Sequence, residues 1–113
     1  MITIYKYLFP TCNPNSIADV RLPKGSQVIR LDPEEGHALL WAIVDTEAPI
    51  VTRRFALHKT GSNMDKTIKE LQVEDGCAEL WARSQYVGRL GIWAEMELMM
   101  YVFDLGEVDE ISG

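Results

Sequence analysis

Alternating apolar and polar positions dominate the chain, cut at intervals of about eight to twelve residues by proline, glycine and asparagine, the spacing of an all-β protein. Ile2, Ile4, Tyr5, Tyr7 and Phe9 make a first strand rich in β-branched and aromatic residues, closed by Pro10, Asn13, Pro14 and Asn15. Residues 17–22 alternate, with Ala18, Val20 and Leu22 on one face and Asp19 and Arg21 on the other. Pro23-Lys24-Gly25-Ser26 reads as a hairpin turn, residues 27–31 as a strand, and Asp32-Pro33-Glu34-Glu35-Gly36 as a second turn. The run HALLWAIV, residues 37–44, is apolar on both faces, which predicts a central strand covered on both sides with Trp41 in the core.

Residues 50–59 alternate again: Val51, Arg53, Phe55 and Leu57 share one face, and Thr52, Arg54, Ala56 and His58 the other. Met64, Ile68 and Leu71 recur at helical spacing and predict one short helix within residues 64–74. Asp75-Gly76 then reads as a turn into a strand over 78–84, and residues 86–93 and 98–105 as a final hairpin through Ala94-Glu95-Met96-Glu97. The fold class expected is an all-β, mostly antiparallel sandwich or small barrel with meander connectivity and at most one short helix. Residues 1–105 form its single domain, and 106–113 an acidic tail. Unpaired edge strands invite a second copy, so a homo-oligomer is expected.

Composition narrows the function classes. The chain has 113 residues and a net charge of −6, and the acid is concentrated in its second half: residues 1–60 carry seven basic and six acidic side chains, residues 61–113 four and eleven. Direct nucleic-acid binding and attachment to an anionic membrane are not expected of such a surface. The acidic half could instead dock on a basic partner or imitate nucleic acid. No apolar run reaches the roughly 18 residues that span a bilayer, and residues 1–10 lack the apolar stretch of a signal peptide. A cytoplasmic location is expected.

Catalytic chemistry finds no purchase. Cys12 and Cys77 stand far apart with no C-x-x-C, and His37 and His58 have no ligand-spaced neighbours, so neither metal nor cofactor is expected. No nucleophile turn and no phosphate-cradling glycine loop occurs. The paired carboxylates lie in turns, where solvated acids keep their ordinary pKa. Gly88-x-x-Gly91 lies inside a strand, where it relieves twist or marks a bulge. The informative charges are Arg53 and Arg54. Arg53 shares its face with Phe55, so it needs a carboxylate partner, Asp45 or another loop acid. Alternatively, an anion site forms from Arg54 or Arg53, enlarged by His58 and Lys59, with an aromatic ring for stacking. Trp93, beside Glu95 and flanked by Met96, Met99 and Met100, is a second candidate contact point.

Seven segments in order carry a resemblance: Ile4-Tyr5-Lys6-Tyr7, Leu22-Pro23-Lys24-Gly25-Ser26, Leu40-Trp41-Ala42-Ile43-Val44-Asp45, Arg53-Arg54-Phe55, Thr60-Gly61, Tyr86-Val87-Gly88 and Tyr101-Val102-Phe103. Over residues 4–103 the chain resembles a family of small phage and prophage proteins of unknown function, in which residues 64–84 look like an insertion. The resemblance implies a protein made in an infected bacterial cytoplasm and brings no catalytic residue.

Three functions are then expected to compete. The first is a non-catalytic phage-type binding protein acting stoichiometrically on a host factor, such as a defence component. The others are an oligomeric sponge for a small anionic, nucleotide-like ligand and a virion structural or assembly component.

Overall fold

The computed structural model describes residues 1–10, 16–34, 37–59, 61, 63–71, 76–93 and 97–108, together with most of their side chains. They form β1 (Ile2–Phe9), β2 (Ser16–Pro23), β3 (Gln27–Glu34), β4 (His37–Asp45), β5 (Ile50–Lys59), α1 (Asp65–Leu71), α2 (Gly76–Arg83), β6 (Gln85–Trp93) and β7 (Glu97–Glu107). Two antiparallel sheets result, ordered β1-β4-β3 and β2-β5-β7-β6. The all-β two-sheet expectation holds, and the sheets do not close into a barrel.

The connectivity departs from a meander, since only β3-β4 and β6-β7 are sequential neighbours. β2 and β3 run antiparallel to β5 and β4 as one long hairpin, and that hairpin is folded in half. Its outer half, from Glu34↔His37 to Gln27↔Ile43, lies in one sheet. Its inner half, from Pro23↔Ile50 to Ser16↔Leu57, lies in the other. The creases are residues 24–26 and 46–49, tied by a hydrogen bond from Lys24 N to Pro49 O of 2.8 Å. The Pro23–Ser26 turn therefore bridges two sheets rather than closing a hairpin. Gly25 supplies a φ of +80° there, and the buried Ser26 hydroxyl donates to Pro23 O at 2.5 Å.

The core lies between the sheets. Phe9, Val28, Leu31, Leu40, Ala42 and Val44 face Ala18, Val20, Leu22, Phe55, Leu57 and Val102, all buried. Phe9 meets Phe55 edge to face at 5.4 Å. In β3, strict alternation would aim Arg30 at the core beside Val28. A bulge between Val28 and Arg30 shifts the register, so Leu31 goes inward. β3 also approaches β6, where Gln27 Nε2 donates to Gln85 Oε1 at 3.0 Å.

Residues 78–84 are helix α2 and the final bend, not a strand, so there are two short helices. Glu79, Leu80, Ala82 and Arg83 favour helix intrinsically, and that preference outweighed a short period-two coincidence. α1 forms where the helical spacing placed it, capped by Asn63 Oδ1 accepting from Asp65 N at 2.8 Å. β7 extends to Glu107, and Val108 N donates to Thr52 O at 2.8 Å, so residues 106–108 belong to the sheet. The rest of the acidic tail lies outside the described residues.

Candidate functional site

β5 carries four of the residues singled out from sequence, and the structure separates them. Arg53 faces inward with a side chain only 11% exposed. Its Nε donates to Asp104 Oδ1 at 3.0 Å and Oδ2 at 3.2 Å. Its Nη1 lies 3.8 Å from Glu107 Oε1, the same oxygen that accepts from Gly25 N at 2.7 Å. The core-facing arginine thus has a carboxylate partner, but it is Asp104 of β7 rather than a loop acid. Asp45 instead lies 3.6 Å from the Met1 amine.

Arg54 faces outward and grips Asp19 of β2 through Nε at 2.9 Å and Nη2 at 3.1 Å. His58 shares that face but is buried: Nε2 lies 2.6 Å from Thr67 Oγ1, itself buried, on α1. Burial lowers its pKa below the ordinary histidine value. Lys59 is exposed at the end of the strand. Arg54 and His58, four residues apart, stand roughly 13 Å from each other along the strand. Both guanidiniums already hold carboxylates, so the group is not assembled as one anion pocket. Trp93 ends β6 opposite Glu97; its side chain, like Glu95, Cys12 and the methionines around it, lies outside the described residues. No cluster of metal-ligating side chains occurs among the described residues. No described helix is long and apolar enough to cross a membrane.

The two sheets differ in what covers their outer faces. α1 lies on the β2-β5-β7-β6 sheet, where outward-facing Ala56 and His58 are buried. Near it, Trp81 of α2 stacks on Tyr86 at 6.5 Å, and Tyr86 continues to Phe103 at 5.6 Å and Tyr101 at 6.4 Å. No described element lies on the β1-β4-β3 sheet. β4 sends Ala38, Leu40, Ala42 and Val44 into the core and Leu39, Trp41 and Ile43 outward. Trp41 is therefore half-buried on the outer face and not in the core. The Lys6 ammonium sits 5.8 Å from the centre of its ring, and the buried indole Nε1–H has no acceptor among the described residues. Register places Leu8 beside Leu39 and Ile4 beside Ile43. Ile2, Ile4, Leu8, Ile43 and Ile29 at the β3 bulge are between 39% and 67% exposed.

The sequence pattern missed this surface because it took two-faced apolarity as a sign of covering on both sides. The signal was present: a two-faced apolar β4 next to a strand whose even positions are also mostly apolar.

Residues 1–110 match a domain of unknown function, DUF7352. The chain belongs to the DUF7352 family. The match spans both sheets and both helices, so residues 64–84 lie within the DUF7352 domain. No curated protein and no solved structure matches this DUF7352 chain.

Proposed function

We propose that this DUF7352 protein is a non-catalytic binding protein that acts stoichiometrically on another protein through the outer face of its β1-β4-β3 sheet. The apolar face around Trp41, on which neither described helix lies, carries this reading. Contiguous exposed apolar surface on a small chain marks an interaction site, and here it is formed by Ile2, Ile4, Leu8 and Ile43. The matching partner surface is apolar, with a carboxylate positioned for Lys6. The resemblance to phage and prophage proteins supports a host factor in a bacterial cytoplasm, a defence component among them.

The test is affinity capture from bacterial lysate followed by native mass spectrometry, with Ile43→Glu and Trp81→Ala variants in parallel. The expected result is a stoichiometric protein complex that Ile43→Glu abolishes and Trp81→Ala preserves. A complex unaffected by Ile43→Glu, or a released nucleotide with no protein partner, overturns the reading.

A further inference from the structure

We propose that β1 is a dimerisation edge, on which a second copy of the chain adds antiparallel to form the continuous sheet β3-β4-β1-β1-β4-β3. The inference uses the backbone edge, independently of the apolar face and its partner.

The outer edges of β2, β3 and β6 are each blunted by a feature that hinders pairing. β3 has a bulge and Pro33, and it lies against β6. β6 has a bulge between Tyr86 and Gly88. β2 carries exposed Asp19 and Arg21 and ends in Pro23. β1 has none of these: its pairing with β4 runs from Ile2 to Phe9 without a shift, and it contains neither proline nor acid. Its single charge, Lys6, is drawn over Trp41 on β4, away from the free edge.

The ladder shows which backbone groups of β1 point away from β4. Thr46 N donates to Met1 O at 2.9 Å, so Met1 is a hydrogen-bonded position, and with an unbroken register the other odd residues are too. The N–H and C=O groups of Ile2, Ile4, Lys6 and Leu8 therefore point outward.

A second β1 fits these groups in one register. Faces stay continuous only if even residues oppose even residues. Centring the two-fold on Tyr5 pairs Ile2 with Leu8 and Ile4 with Lys6 of the other copy, and uses every outward group between Ile2 and Leu8. Centring on Lys6 would set two ammonium groups opposite each other, which is unfavourable. The chain carries a charge of −6, and an edge free of acid is where two like-charged copies approach at least cost.

Sedimentation velocity and native mass spectrometry test the pairing in three proteins: the parent, Ile4→Lys, and the double variant Ile4→Lys/Lys6→Glu. Melting curves confirm that each is folded. The parent is expected to be a dimer. Ile4→Lys sets like charges opposite each other twice and raises the dissociation constant about tenfold. The double variant restores opposite charges and recovers the dimer. A parent that stays monomeric at all concentrations, or a dimer indifferent to Ile4→Lys, overturns the proposal.

Discussion

Arg53 Nε and Asp104 Oδ1 meet at 3.0 Å between the sheets, with side chains 11% and 3% exposed. Asp104 is further held by Gly106 N, which donates to the same oxygen at 2.8 Å. The pair connects β5 to β7 where β7 carries an extra residue, the register shifting between Arg54 and Phe55.

Removing one member leaves the other charge buried. Arg53→Ala is expected to cost about 3–5 kcal/mol, and a joint Arg53→Met/Asp104→Leu replacement much less, since a packed apolar pair substitutes well for a buried ion pair. Urea denaturation of the single and double variants measures both. Equal losses would show that the charges are not coupled.

The neighbouring arginine behaves differently. Arg54 and Asp19 are 27% and 42% exposed, and pairs of that kind contribute about 0.2–1 kcal/mol. Arg54→Ala is expected to shift stability within that range, and the shift to shrink at high salt. A loss comparable to that of Arg53→Ala would contradict the facing of β5.

Leu40 and Trp41 are adjacent on β4 and point to opposite faces. Leu40→Ala is expected to cost about 2–5 kcal/mol, as for an emptied core site, and Trp41→Ala only about 1–2 kcal/mol. Trp41→Phe, which deletes an indole N–H that has no acceptor among the described residues, is expected to be near neutral. Thermal melts of the three variants check the order, and a Trp41→Ala loss as large as that of Leu40→Ala would place the indole in the core.

His58 is buried and its pKa is lowered by that burial. The unfolded chain then binds a proton more readily than the folded one between the depressed folded pKa and the ordinary value of about 6.5. Its contribution is therefore complete above about pH 6.5 and is lost as pH falls towards the folded pKa. Melting temperatures of the parent should drop over that window more than those of His58→Gln. Parallel curves would contradict the burial of His58 beneath α1.

Much of the fold was legible because period-two alternation survives wherever one face is wet. β2 and β5 show it, and Arg53 could be placed inward from its neighbours alone. The connectivity was not legible, because a Pro-x-Gly turn closes a hairpin and creases a folded one with the same local chemistry. Lys24 N meets Pro49 O only once both creases have formed. α2 escaped notice because eight residues fit both periods. The candidate surface was misread for a different reason. An outer face made of Leu39, Trp41 and Ile43 has the same composition whether part of the same chain or another molecule covers it, and periodicity counts only apolar residues.

Hydroxyl-radical footprinting of the protein alone and in its captured complex tests the binding face most directly. Protection on binding is predicted at Leu39, Trp41, Ile43 and Ile29, with Trp81 and Tyr86 unchanged. Protection confined to Trp81 and Tyr86, with the β1-β4-β3 face still reactive, would contradict it.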